Sequence, residues 1–144
     1  MISHLNQPII ALDVGDKRIG VAISDPTRTL ATPRSAIPRQ GAESQILKLS
    51  HDEDASLIIV GMPFLASGCI GTQADKTQQF VAHLTKITGL KIETVDERLS
   101  TVEARKRLHE SPGRKNRIKK DKGLVDSASA AVLLQTYLDQ IGTR

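Results

Sequence analysis

Residues 8–24 read PIIALDVGDKRIGVAIS, which is two apolar runs joined by a short polar segment. The first run, 8–14, is apolar at nearly every position, as is typical of a strand buried on both faces of a sheet. Residues 15–18 have turn chemistry, and 19–24 is again rich in apolar and β-branched residues. The stretch therefore predicts a β-hairpin with Asp13 near the end of its first strand.

Beyond the hairpin, strand and helix patterns alternate. We predict further strands around 31–38, at 57–60 and at 91–96, and helices over about 42–53, 72–88, from 101 to before Pro112, and 123–140. In the second of these helices, the residues expected to face inward are Phe80, Val81, Leu84 and Ile87. In the last helix, the expected inward face is Leu124, Ala128, Ala131 and Leu138. This order predicts an α/β fold with one mixed sheet and helices on both of its faces.

The composition is that of a globular protein. A length of 144 residues favours a single domain over 1–144. Hydrophobic residues make up 39% and charged residues 25%, which argues against a disordered chain. Cys69 is the only cysteine, so an internal disulfide is excluded and a reducing compartment fits. No apolar stretch approaches the ~18 residues of a membrane span, and we expect a cytoplasmic protein.

Basic residues are concentrated in one segment. Between Arg98 and Lys122, ten Lys or Arg residues stand against three acids, whereas the net charge of the whole chain is only +4. Such a basic strip fits a polyanion, although a solvated loop and helix face is an alternative explanation. The aromatic residues are two Phe and one Tyr, so any nucleic acid would be held chiefly by its phosphates and not by base stacking.

Three acidic residues lie beside apolar segments, namely Asp13, Glu97 and Asp126. A carboxylate at the edge of a core costs desolvation unless it is paired, hydrogen-bonded or bound to a metal. If the three converge, they form an oxygen-rich site suited to Mg²⁺ or Mn²⁺ and to phosphate chemistry. Each also has a structural explanation of its own: a turn for Asp13, an ion pair for Glu97 and a helix N-terminus for Asp126.

The neighbours of these acids bear on whether they converge. Asp96 and Glu97 are adjacent, so alternation along a strand lets only one of them face a given site. The small residues of 127–131 would let the last helix lie close to the sheet and bring Asp126 toward the strand ends. The four histidines lack metal-ligand spacing, and neither a Walker-type phosphate loop nor a G-x-S-x-G turn occurs.

Four motifs in combination resemble a known family. They are DVGDKRIGVAISD (13–25), VGMP (60–63), DERLSTVEA (96–104) and DSASAAVLLQ (126–135). Together they resemble the YqgF, or RuvX, family, whose members are described as candidate Holliday-junction resolvases and as candidate pre-16S rRNA nucleases. The resemblance covers about 8–139 and implies an RNase H-like fold with a five-stranded sheet, related to the RuvC resolvases. Relatives usually have Asn and Asp-Gly-Ser in the loop after G-x-P, where this chain reads FLASGCIG over 64–71.

The resemblance also implies the functional residues. Mg²⁺ or Mn²⁺ would be held by the acids that match the family motifs, and these would be the catalytic residues: Asp13, Glu97 and Asp126. The residues expected to bind nucleic acid, from the motifs and from the basic strip, are Lys17, Arg18, Arg98, Arg105, Arg114, Lys115, Arg117, Lys119, Lys120 and Lys122.

The leading hypothesis is a metal-dependent endonuclease of structured nucleic acid that processes the 5′ end of pre-16S rRNA in ribosome biogenesis. A Holliday-junction resolvase acting in DNA recombination is one alternative, and a nucleic-acid-binding module of the same fold with little catalysis is another. A nucleotide site of the actin or sugar-kinase type needs two lobes, whereas 144 residues without a repeat hold one. A monomer and a weak homodimer both fit, and no membrane partner is expected.

Overall fold

The apolar runs of the sequence become the strands of one sheet. The computed structural model describes residues 7–62, 71–96 and 122–142, without the side chains of Thr72 and of 122–126. Within these ranges the strands are β1 (Ile9–Val14), β2 (Arg18–Ser24), β3 (Ala31–Pro38), β4 (Leu57–Met62) and β5 (Lys91–Asp96). The helices are α1 (Ala42–Asp52), α2 (Thr72–Thr88) and α3 (Lys122–Gly142). The helix predicted from residue 101 lies outside the described residues.

The strand order is β3-β2-β1-β4-β5. β1 pairs antiparallel with β2 and parallel with β4; β2–β3 is antiparallel and β4–β5 parallel, so the sheet is mixed as predicted. β1 is the central strand, and its first four residues, 9–12, are fully buried. The carboxyl ends of β1, β4 and β5 therefore lie at one end of the sheet, where β2 begins. We call this the carboxyl end.

The two faces of the sheet are covered by different helices, which confirms the predicted layers. On one face, α1 and α2 pack on alternate strand residues that include Ile10, Leu12, Val21, Ile58 and Val60, with Ile46 and Phe80 contributed by the helices. On the other face, α3 packs on Ile9, Ala11, Ala22, Leu57 and Ile59 through Ala130, Leu133, Leu134 and Leu138. We refer to this second surface of the sheet as the α3 face.

One residue of α2 departs from its predicted orientation. Ile87 was predicted to face inward, but it is 45% exposed, whereas Phe80 and Leu84 are buried as expected. Thr77, Phe80 and Leu84 form a buried stripe along α2. The next position on this stripe is the half-buried Thr88, four residues beyond Leu84. Ile87 lies to one side of the stripe, so the prediction for Ile87 was wrong.

The buried face of α3 is displaced from the predicted one. Ala128 and Ala131 are only half-buried, while the fully buried positions of the same turns are Ser127 and Ala130. Leu138 is buried as predicted, and the side chain of Leu124 lies outside the described part of the helix. The difference arises because the buried stripe includes Ser127, and a polar residue is not counted when the buried face is predicted from the spacing of hydrophobic residues.

Polar side chains also tie α3 to three strands or their flanking turns. The backbone N–H of Val21 in β2 donates to Ser127 Oγ at 3.1 Å. The amide of Gln135 accepts from the N–H of Ala31 at 2.9 Å and donates to the carbonyl of Thr29 at 2.9 Å. Tyr137 donates to a carboxylate oxygen of Glu93 in β5 at 2.8 Å. α3 thus runs from the carboxyl end of the sheet toward the opposite end.

A closed turn joins β2 to β3 at that opposite end. The carboxylate of Asp25 accepts backbone N–H groups from Leu30 and Thr29, both at 2.8 Å, and from Thr27 at 3.2 Å, as well as the Thr27 hydroxyl. These hydrogen bonds, that from Leu30 first, lower the pKa of Asp25 to about 2. Arg28, with φ of 58°, donates to the carbonyl of Gln7 at 2.9 Å and anchors the turn.

No helix within 7–62, 71–96 or 122–142 has both the length and the apolar character needed to cross a bilayer.

Candidate functional site at the carboxyl end of the sheet

Asp13 brings a carboxylate to the carboxyl end of the central strand. It is half-buried between the buried residues Leu12 and Val14. Side chains alternate along a strand, so Asp13 shares the α3 face with Ile9 and Ala11. The acid therefore points to the side of the sheet that α3 covers.

Glycines stand beside Asp13 on both neighbouring strands. Gly20 of β2 is its direct partner in the antiparallel ladder. On the other side Leu12 pairs with Val60, so Asp13 comes level with Gly61 of β4. Strand alternation places both glycines on the α3 face, with Ala22 and Ile59 two residues away. Asp13 is consequently the side chain that the three central strands present at this level.

The hairpin turn after Asp13 is closed by a tight backbone contact. The N–H of Gly15 donates to the carbonyl of Arg18 at 2.9 Å. A Cβ at position 15 would lie 2.8 Å from that carbonyl oxygen, which explains why glycine is required. The turn predicted over 15–18 is thus present, and the space beside the Gly15 Cα is filled by the Arg18 carbonyl.

A cavity of about 220 Å³ opens beside this turn. Its lining consists of Asp13, Gly15, Asp16, Lys17, Arg18 and Gly20. Lys17 is exposed and Arg18 is half-buried. The structure thus brings the first predicted metal ligand together with two of the cations predicted to bind phosphate, although they are separated from Asp13 by a turn.

The end of β5 lies two strands away from Asp13. Val95 pairs with Gly61 of β4 and packs in the core beneath α3. Asp96, the next residue, therefore faces the α1–α2 side of the sheet, whereas Asp13 faces the α3 side. Glu97 follows Asp96 directly in the sequence and lies outside the described residues.

The beginning of α3 is held close to Asp13's neighbours. Ser127 is fully buried and accepts the N–H of Val21, the residue after Gly20. Ala130 is also fully buried. The small side chains at these positions thus allow the close helix–sheet approach predicted from 127–131. Asp126 immediately precedes Ser127 in α3, and its side chain is outside the described set.

Of the three acids predicted to hold a metal ion, Asp13 is therefore the one whose side chain the structure describes. Within 7–62, 71–96 and 122–142, no group of three His, Cys, Asp or Glu residues is arranged to hold a metal ion. The convergence of Asp13, Glu97 and Asp126 stays a prediction. Of the residues predicted to bind nucleic acid, those for which the structure gives no side-chain position are Arg98, Arg105, Arg114, Lys115, Arg117, Lys119, Lys120 and Lys122. The loop difference noted over 64–71 also falls almost wholly outside the described chain.

Three residues of this region were not singled out from the sequence. Gly20 and Gly61 matter because of strand register, and register relates residues that are far apart in the chain. Ser127 matters because of one buried hydrogen bond. The available signal was weak: a glycine within each of two apolar strands, which can mark close approach of a ligand or backbone.

The strand order, with helices on both faces of the sheet, is that of an RNase H-like α/β fold similar to RuvC. RuvC of T. thermophilus in complex with a Holliday junction substrate superimposes with a TM-score of 0.56 at 11% identity, covering 95% of this chain and 97% of that one. Another structure of Thermus thermophilus RuvC gives a TM-score of 0.54, covering 95% of this chain and 98% of that one, also at 11% identity. At such identities the likeness shows the fold.

The chain belongs to the RuvX family, as its motifs predicted. The family model, described as "Holliday junction resolvase", matches residues 7–140. A relative from Roseiflexus sp. (strain RS-1) is 41% identical, with 91% of this chain and 93% of the relative covered. A relative from Synechococcus sp. (strain JA-2-3B'a(2-13)) is 43% identical, with 91% and 77% covered. Both are named as candidate pre-16S rRNA nucleases.

Proposed function

We propose that this protein is a metal-dependent endonuclease of structured nucleic acid and that it processes the 5′ end of pre-16S rRNA. The observation that carries the proposal is the position of Asp13. Its carboxylate stands at the end of the central strand, between two glycines and beside a cavity that Lys17 and Arg18 line. The relatives' names supply the substrate.

The donor chemistry fits a hard divalent cation. A carboxylate oxygen is the ligand that Mg²⁺ and Mn²⁺ prefer, and a half-buried position favours a bound cation because it partly excludes water. Asp13, Glu97 and Asp126 would hold the metal. When bound, it would lower the pKa of a water molecule and stabilise charge on the phosphate that is cleaved.

The described residues have separate tasks in this proposal. Lys17 and Arg18 bind phosphate groups of the substrate. Because both residues lie at the hairpin turn, they hold the sugar–phosphate backbone of the nucleic acid against the carboxyl end of the sheet. Gly20 and Gly61 have no side chains, so they leave space beside Asp13 in which a phosphate can approach its carboxylate. Recognition then depends on the shape and charge of the substrate more than on its bases. An rRNA substrate is consistent with the cytoplasmic location expected from the sequence.

The proposal is tested by cleavage with purified protein. Wild type, Asp13→Asn and the charge-matched control Asp52→Asn, which changes an exposed residue at the end of α1, are incubated with a pre-16S rRNA 5′ fragment and Mg²⁺ or Mn²⁺. We expect wild type and Asp52→Asn to cut alike and Asp13→Asn to lose cleavage by at least ~10³-fold, because a catalytic ligand is removed. An Asp13→Asn variant that cuts at the wild-type rate would refute the assignment.

A Holliday-junction resolvase is the second candidate, because the family model carries that description. A resolvase cuts paired strands symmetrically and should act as a dimer. A synthetic four-way junction is therefore included beside the RNA, and sedimentation is used to measure the mass of the active species. Symmetric cuts in the junction by a dimer, with intact RNA, would favour this candidate. Binding to RNA without any cleavage would indicate a binding module of the same fold.

A further inference from the structure

One hydroxyl group of α3 is buried against the sheet at the carboxyl end. Ser127 is fully buried, and its Oγ accepts the backbone N–H of Val21 at 3.1 Å. The two residues are 106 positions apart in the sequence, so this hydrogen bond joins the hairpin to the final helix. A buried N–H that loses its acceptor keeps a desolvation cost, so the hydroxyl at position 127 is strongly constrained.

The local strand geometry explains why a side chain is engaged at Val21. The β2–β3 ladder shifts register between Ile19 and Val21, because Ile19 pairs with Ile37 whereas Val21 pairs with Arg34. Such an irregularity disturbs the spacing of ladder hydrogen bonds. Ser127 meets β2 at this place.

We propose that Ser127 is a positioning residue that sets where the first turns of α3 lie on the sheet, and thereby sets Asp126 relative to Asp13. The inference rests on the proposed function, because it assigns a purpose to the placement of a predicted metal ligand. Asp126 is the neighbour of Ser127 in the helix, so a fixed backbone at 127 restrains the acid before it.

The other described polar ties of α3 lie farther along the helix. Gln135 bonds to Ala31 and Thr29, and Tyr137 bonds to Glu93. Gln135 is eight residues beyond Ser127, which corresponds to about 12 Å of helix. These ties fix the body of α3 on the sheet but are too distant to set its first turn at the level of Asp13. Ser127 is the described polar contact that does so.

The test compares two variants of the same helix. Ser127→Ala removes the acceptor next to Asp126, whereas Gln135→Ala removes a tie at the far end. Mn²⁺ binding is titrated by calorimetry for wild type, both variants and Asp13→Asn, and the free energy of unfolding is measured in urea. Cleavage of the rRNA fragment then gives kcat, KM and the Mn²⁺ concentration at half-maximal rate.

We expect Ser127→Ala to bind Mn²⁺ about 10–100-fold more weakly, as is usual when a residue that orients a metal ligand is removed. Its kcat at fixed Mn²⁺ should fall while the KM for RNA stays unchanged, because Lys17 and Arg18 are untouched. Gln135→Ala should keep wild-type Mn²⁺ affinity even when it is destabilised as much as Ser127→Ala.

Two results would overturn the inference while leaving the proposed function in place. One is a Ser127→Ala variant with wild-type Mn²⁺ affinity and kcat. The other is an equal loss of Mn²⁺ affinity in Ser127→Ala and Gln135→Ala, which would assign the effect to helix stability in general. If wild type binds Mn²⁺ no better than Asp13→Asn does, the metal site itself is refuted, and the role of Ser127 falls with it.

Discussion

At the scale of single residues, the neighbours of Asp13 are as informative as Asp13 itself. A strand residue in the middle of a sheet normally has side chains beside it on both adjacent strands. Asp13 instead has Gly20 and Gly61 at its level on the α3 face. Interior glycine weakens a strand because it has no side chain to pack and loses more backbone entropy on folding. Two such positions beside one carboxylate are explained if that space is needed by a ligand or by α3.

This arrangement predicts the effect of adding one methyl group. Gly20→Ala and Gly61→Ala each place a Cβ about 5 Å from the Cβ of Asp13, on the face of the sheet where we propose that the phosphate binds. We expect the cleavage rate of each to fall about 10²-fold, because small displacements of reacting groups cost this much. Single-turnover cleavage of the rRNA fragment measures it. Gly142→Ala is the control, because a Cβ there meets no atom within 4 Å. Wild-type rates in both strand variants would contradict the argument.

At the scale of elements, the turn between β2 and β3 has a pH dependence that follows from Asp25. Its folded-state pKa of about 2 lies below the ordinary value of about 3.9 in an unfolded chain. The ionised carboxylate therefore contributes stability at pH values above about 4, and this contribution is lost as the pH falls toward 2.

Replacement of Asp25 by alanine should consequently flatten the acid limb of the stability curve. We expect the free energy of unfolding to fall less steeply between pH 4 and pH 2 in Asp25→Ala than in wild type, with a constant lower stability above pH 5. Urea denaturation followed by circular dichroism at several pH values gives both curves. Curves that stay parallel down to pH 2 would show that the turn hydrogen bonds to Asp25 do not contribute.

The elements themselves were largely predictable because their signals are local. The strand predicted at 57–60 begins as predicted and continues two residues further, to Met62. The helix predicted over 72–88 has these bounds in the structure and is closed by Gly89, whose φ is 69°. The orientation of a helix residue is harder to predict, because it depends on what the helix meets. Ile87 is apolar yet exposed, and Ser127 is polar yet buried, since a strand N–H at Val21 donates to it.

At the scale of the whole molecule, the distribution of charge should control binding. Lys17 and Arg18 lie at the cavity beside Asp13, whereas Lys48 and Lys86 are exposed on α1 and α2. We expect the slope of log K against log salt to become shallower by about 1.4 to 1.8 in Lys17→Gln/Arg18→Gln, because two phosphate contacts are removed.

The matched double variant Lys48→Gln/Lys86→Gln separates local contacts from net charge. It removes the same two positive charges, and its salt slope should remain that of wild type. Fluorescence anisotropy with a labelled rRNA fragment at several KCl concentrations measures all three slopes. An equal change in the two double variants would mean that the binding depends on overall charge and not on the cavity beside Asp13.

The candidate site was predictable from the sequence in its chemistry more than in its geometry. Asp13 could be identified because an acid at the end of a fully apolar strand is costly. That Gly20 and Gly61 flank it depends on strand order, which joins β1 to both β2 and β4. Pairing over such distances leaves almost no mark near either residue, so pattern and composition did not reveal it.

The hydrogen bond between Val21 and Ser127 has a consequence for how the chain folds during its synthesis. The hairpin that carries Asp13 is synthesised before α3, the helix that covers Ile9 and Ala11. Contacts across such separations form slowly, because much of the chain must be ordered before they can close. A nascent chain that ends before Lys122 thus carries the acid without the helix that covers its face. Under the proposed function, we expect cleavage activity only after α3 has been synthesised and has packed on the sheet.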